Sequence, residues 1–158
     1  TGPDIAMQNP GGMRADMDQG PVTRGKIYAV MPFDNTIVTM TLTRAEVRLA
    51  LEQALRGDRV TQVSGIRYTY DADAPSGERV KSITMPDGKP FDETRSYKVA
   101  VNNFMASGGD SYDVLGKGRD RSEGTVIRTA MEDYVRSLTK AGRTLDLRSD
   151  GRIQRAKS

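Results

Sequence analysis

The chain has 158 residues, 36% of them apolar and 6% aromatic, enough for one domain with a sizeable core. It carries 24 Lys and Arg against 21 Asp and Glu, a net charge of +3 that suits anionic ligands in general and does not demand nucleic acid. It has no cysteine and no histidine, which removes disulfides and Ser-His or Cys-His nucleophile pairs and argues against a zinc site, while carboxylate-only Mg or Ca sites stay open. No apolar run approaches the roughly 18 residues of a membrane-crossing helix. No signal peptide is read at Thr1, which suggests a processed protein or an excised domain.

Residues 1–25 are rich in Gly, Pro, Asp and Met and have no period. They read as loop with room for one short strand. Asn9-Pro10-Gly11-Gly12-Met13-Arg14 is a turn cluster ending in an arginine. Glycine N–H groups and the Arg14 guanidinium suit a phosphate; an ordinary glycine turn with a solvated arginine fits equally. Lys26 to Met31 reads as a central strand, apolar on both faces, broken by Pro32-Phe33-Asp34-Asn35 before β character resumes from Thr36 to Leu42. At the break, Phe33 and Asn35 offer a ring and an amide to a purine, or else a buried ring and an Asx turn. Thr43-Arg44-Ala45-Glu46 is a capping box. Val47, Ala50, Leu51, Ala54 and Leu55 follow at helical spacing, with Arg44, Arg48, Glu52 and Arg56 on the wet side and Gly57 as the stop.

Short strands are predicted at Val60 to Val63, Ile66 to Tyr70, Arg79 to Met85 and Tyr97 to Val101, with turns at Ser64-Gly65 and Pro86-Asp87-Gly88. Residues 112–124 read as polar and irregular. Thr125 to Lys140 is a second amphipathic helix, and Leu145, Leu147 and Ile153 form a last strand or arm, with fraying from Arg155 to Ser158. About six strands and two helices, not strictly alternating, indicate an α+β fold.

The stretch Asn102-Asn103-Phe104-Met105-Ala106-Ser107-Gly108-Gly109-Asp110 ends a strand and opens a backbone-exposing loop. An aromatic face and a carboxylate there suit a nucleoside, the ring stacking on the base and Asp110 meeting the sugar hydroxyls. The alternative is a core ring at Phe104 and a turn cap at Asp110.

Taken in order, Gly-Gly-Met-Arg (11–14), Pro-Phe-Asp-Asn (32–35), Val-Ser-Gly-Ile-Arg (63–67), Pro-Asp-Gly (86–88) and the 102–110 stretch resemble the C-terminal domain of the 5′-nucleotidase family, which includes UDP-sugar hydrolases and 2′,3′-cyclic-nucleotide phosphodiesterases. The resemblance spans about Asn9 to Ile153 and rests on several motifs in order, none specific by itself. It implies a four-layer α/β/β/α domain over residues 9–153, after a linker at 1–8 and before a tail at 154–158. Such a domain binds nucleotide and presents it to a separate N-terminal metallophosphoesterase domain carrying two divalent metals. By resemblance, Phe33 and Phe104 sandwich the base, Asn35 meets its edge and Gly65 lets the chain pass close to it. Asp110 takes the ribose hydroxyls and Arg14 meets phosphate. Without histidine, the chain itself holds neither catalytic residues nor metal ligands of that family, so alone it is expected to bind nucleosides weakly and hydrolyse nothing. The resemblance also implies a periplasmic or extracellular setting. The alternative is a binding module of the same superfamily that no longer uses nucleotides, as in a sulfur-oxidation branch.

Overall fold

The computed structural model describes residues 2–56, 60–92, 94–147 and 149–156. Among them the elements run β1 (Ile5–Gln8), α1 (Arg24–Val30), β2 (Thr36–Thr43), α2 (Arg44–Ala54), β3 (Gln62–Ser64), β4 (Arg67–Tyr70), β5 (Val80–Thr84), β6 (Ser96–Asn102), α3 (Asn103–Ala106), β7 (Arg119–Val126), α4 (Ile127–Lys140) and β8 (Ile153–Arg155). Five strands form one sheet in the order β3-β1-β6-β2-β7, and three form a second, β5-β4-β8. The fold is α+β, as the pattern of elements predicts, in the four-layer α/β/β/α arrangement that the family resemblance implies. A single core joins the two sheets. It takes Ile5, Met40 and Val99 from the first, and Tyr68, Val80 and Ile83 from the second.

The capping box at α2 forms as expected: the Glu46 N–H donates to Thr43 Oγ1 at 3.3 Å, and the Thr43 N–H donates to Glu46 Oε2 at 2.7 Å. Burial pushes the Glu46 carboxyl up, but the bonds from Thr43 and Arg119 outweigh it and hold the group below its ordinary value. Val47, Ala50 and Leu51 are buried beneath the helix. Of the residues expected on its wet side, Glu52 is buried and Arg48 half-buried. Glu52 accepts the backbone N–H groups of Arg79 (3.1 Å) and Val80 (2.7 Å), and Arg48 donates to Val80 O. A carboxylate can be buried there because the backbone entering β5 supplies two donors where an unpaired charge would otherwise be costly. Gly57, the expected stop, lies outside the described residues.

Four expectations need correction. Residues 26–31 are not a strand: 26–30 belong to α1 and Met31 is its C-cap, and Thr23 caps the start, its hydroxyl accepting from the Lys26 N–H at 3.2 Å. In a short apolar run the two periods overlap, and the i, i+4 pair Ile27 and Met31 is what becomes buried. Residues 5–8 are not linker: they form β1, parallel to β6 and antiparallel to β3. The tail from 154 does not fray at once, since β8 pairs in parallel with β4 and the Ala156 N–H donates to Tyr70 O at 2.7 Å. Residues 119–126 are not irregular: they form β7, an edge strand on β2 with exposed side chains, so no apolar alternation announces it. In addition, Asn103 to Ala106 make one helical turn inside the stretch read as loop.

Candidate functional site

Sheet register gathers most of the expected residues. β2 and β6 are antiparallel, with Ile37 opposite Asn102, so the segment entering β2 lies beside the segment leaving β6. The first carries Phe33 and Asn35; the second carries Phe104 and Asp110. Because β1 is parallel to β6, the turn after β1, with Asn9 and Gly12, arrives at the same end. Arg14 follows that turn, exposed, its N–H donating to Val30 O at 2.8 Å at the end of α1.

Both expected rings face solvent. Of the three phenylalanines in the chain, Phe91 is buried and stacked on Tyr97 at 4.3 Å between centroids, while Phe33 is 45% exposed and Phe104 47%. Gly109 makes room for the second ring: a Cβ there would lie 2.5 Å from Phe104 Cζ. Glycine at 109 thus lets the ring lie flat against the loop.

Asp110 is held by a polar chain. Asn9 Nδ2 donates to Asp110 Oδ2 at 2.6 Å, and Asn9 Oδ1 accepts from Asn102 Nδ2 at 2.8 Å. Asn102 Oδ1 in turn caps α3 by accepting from the Met105 N–H at 2.7 Å. Asn9 and Asn102 are buried, so the chain is shielded from water, while Asp110 is exposed. Asp110 and Ser111 both take left-handed backbone (φ 54° and 66°), an unusual pair for residues other than glycine. Beyond them Tyr112 is buried and shares a 2.7 Å hydrogen bond with Thr61, anchoring the far end of the loop; burial pushes its phenol up. Sequence reasoning missed Asn9 as more than a turn residue. Its partner lies 101 positions away.

Gly65 stands apart from the other five. Ser64 pairs with Ala6, so Gly65 sits by the start of β1, not the end that carries Asn9. Its φ is +84°, and a Cβ there would collide with the backbone carbonyl of Asp4. Close approach of two main chains therefore explains this glycine without a ligand.

A groove of about 310 Å³ crosses the outer face of the larger sheet, lined by Ala6, Ile37, Ala100 and Ile127 among others. It shares Gln8 and Asn102 with the polar end but touches none of the six expected residues. The chain lacks His and Cys, and among the described residues no three acidic side chains group to hold an ion.

Residues 1–117 match the family model described as 5′-nucleotidase, C-terminal domain. The chain is 35% identical over 163 aligned residues to the trifunctional nucleotide phosphoesterase protein YfkN of Bacillus subtilis, covering 97% of this chain and 11% of that protein. It is 30% identical to the cell wall protein Lmo0130 of Listeria monocytogenes, covering 94% of this chain and 20% of that protein. The crystal structure of a 5′-nucleotidase precursor from Thermus thermophilus superposes with a TM-score of 0.86 at 37% identity, over 98% of this chain and 32% of that one. The chain thus spans a third or less of the length of these relatives. It belongs to the 5′-nucleotidase C-terminal domain family.

Proposed function

We propose that this chain is the nucleotide-binding domain of a 5′-nucleotidase-type phosphoester hydrolase. Phe33 and Phe104 stack on the two faces of the base, and Asn35 bonds its edge. Asp110 accepts from the ribose hydroxyls, and Arg14 meets the phosphate. The observation that carries this reading is the contrast among the phenylalanines. One fills the core, and the other two stand exposed on the segments that meet at one end of the β2·β6 pair. Leaving two large rings about half in water forgoes part of the burial worth about 1.5–3 kcal/mol for a whole ring. A flat ligand covering both recovers it. The buried Asn102–Asn9–Asp110 chain supports the role of Asp110, because it holds a carboxylate at the surface in one orientation.

The chemistry of hydrolysis falls to another part of the protein. Members of this family are nucleotidases and phosphoesterases, and among the described residues no group of acidic side chains here could hold a metal ion. A separate N-terminal metallophosphoesterase domain with two divalent ions would activate water there. By itself this chain releases no phosphate from AMP. A module that had abandoned nucleotides would have no use for both rings beside a positioned carboxylate. The relatives' names, one of them a cell wall protein, support a periplasmic or extracellular setting.

Titration of the protein with adenosine, followed by calorimetry or two-dimensional NMR, tests the reading. Binding is expected, with shifts concentrated at Phe33, Asn35, Phe104 and Asp110. Phe104→Ala should weaken it by about 1–3 kcal/mol, the worth of one stacked face. Unchanged affinity in that variant would sink the sandwich.

A further inference from the structure

β7 and α4 lie beyond residues 1–117, the part matched by the family model, yet they grip both ring-bearing segments. Arg128, in the first turn of α4, meets the Phe33 segment three times. Its Nη1 donates to Phe33 O at 2.6 Å and to Met31 O at 3.2 Å, and its Nη2 pairs with the Asp34 carboxylate. Its guanidinium carbon lies 4.8 Å from the centre of the Tyr28 ring. The neighbouring Ile127 N–H donates to Asn35 O at 2.9 Å. Arg128's side chain is 18% exposed and Asp34's is 83%, so the arginine is packed and the carboxylate is not. Most of its contacts go to main chain or to a ring. They fix where the backbone of residues 31–34 runs more than they neutralise a charge. Arg121 on β7 does the same for the other segment, donating to Ala106 O at 2.5 Å and to Gly116 O at 3.2 Å. Ala106 ends the turn that carries Phe104.

We propose that Arg128 is a positioning residue for the base site: its fork holds the Phe33 ring at the right separation from Phe104. The β7–α4 unit is then the frame to which both rings are referred, through Arg128 on one side and Arg121 on the other. The inference rests on the base-site reading above. A lysine cannot substitute, because one point charge cannot serve two carbonyls and a carboxylate while lying flat on Tyr28.

A double-mutant cycle on adenosine affinity tests it, using the parent, Arg128→Met, Phe33→Leu and the double variant. Each single change is expected to weaken binding by about five- to tenfold, the scale of one or two charge-assisted hydrogen bonds or a stacked face. The double variant should bind within about twofold of Phe33→Leu, since Arg128 acts through that ring. Arg128→Lys should behave like Arg128→Met, and it carries the cycle if the methionine variant fails to fold. Losses that multiply in the double variant would overturn the positioning role, as would unchanged affinity in Arg128→Met and Arg128→Lys. Absence of adenosine binding by the parent protein would overturn the base-site reading and the positioning role together.

Discussion

Asn9 and Asp110 share a 2.6 Å hydrogen bond across 101 positions of sequence, and this bond ties the turn after β1 to the loop after α3. Asn9 also accepts from Asn102, the residue that caps α3, so one amide links three segments. Asn9→Ala should therefore cost stability as well as binding. It leaves the buried Asn102 amide short of its main partner, worth about 1–3 kcal/mol. A urea titration should show that loss, and adenosine affinity should fall alongside it. A variant as stable as the parent would mean that water or Gln8 takes over, and that the chain of bonds is dispensable.

Asp110→Ala separates sugar recognition from base stacking. Adenosine should lose about 1–3 kcal/mol, the value of hydrogen bonds to a charged acceptor. 2′,3′-Dideoxyadenosine, which lacks those hydroxyls, should bind parent and variant alike. Calorimetry on the two ligands makes the comparison; equal losses would place the carboxylate elsewhere on the ligand.

Gly109→Ala moves a ring without removing it. The new methyl would stand 2.5–2.7 Å from three atoms of Phe104, and the exposed ring can swing away. Adenosine affinity is expected to drop while the unfolding free energy changes by less than about 1 kcal/mol, as for a surface site free of core contacts. Retained affinity would show that the base does not need the ring in this orientation.

Gly65→Ala should do the reverse. Its positive φ and the Asp4 carbonyl leave no room for a side chain, so about 1–3 kcal/mol of stability is expected to go. The folded variant should bind adenosine as the parent does, because Gly65 lies at the far end of β1 from Asn9. Weaker binding with stability intact would return Gly65 to the base site that its motif implies.

The tail has its own pH signature. Arg152 donates to both oxygens of Asp150 at 2.8 and 3.0 Å, and this holds the carboxyl down at about 2. A depressed value in the folded state adds stability that is present above the unfolded value of about 3.9. That stability is lost as pH falls through the folded value. Melting temperatures of the parent and Asp150→Asn should accordingly differ at about pH 5 and converge between about pH 4 and pH 2. A gap that persists at the acid end would assign the effect to another group.

Much of the fold was legible wherever one face is buried and the pattern has to show it. The α2 capping box and its apolar stripe, the β6 alternation and the Pro86-Asp87-Gly88 turn all follow local rules, and each appears where those rules put it. α1 and β7 escaped for opposite reasons. In α1 the five-residue apolar run Ile27 to Met31 fits both periods, and packing against α4 favours the helix. In β7 every side chain but the last is exposed, so only its backbone pairing with β2 makes it a strand. Glu52 reads as a wet-face residue because it falls at helical spacing with Arg44, Arg48 and Arg56. Its partners, the amides of Arg79 and Val80, are visible only in three dimensions.

The sequence by itself determined the inventory of the candidate site. It offered two rings out of place on polar stretches, an amide, a carboxylate after paired glycines and an arginine after a glycine turn. It also contains no histidine and no cysteine. Only the tertiary structure decided which of these meet. The register of β2 on β6 and the parallel course of β1 bring five of the six to one end of a sheet and leave Gly65 at the other. It also supplied Asn9 and Arg128, whose partners lie about 100 residues away in the chain. Local sequence carries no trace of such pairs, because a hydrogen bond between distant segments depends on where the sheet puts them and not on the residues beside them.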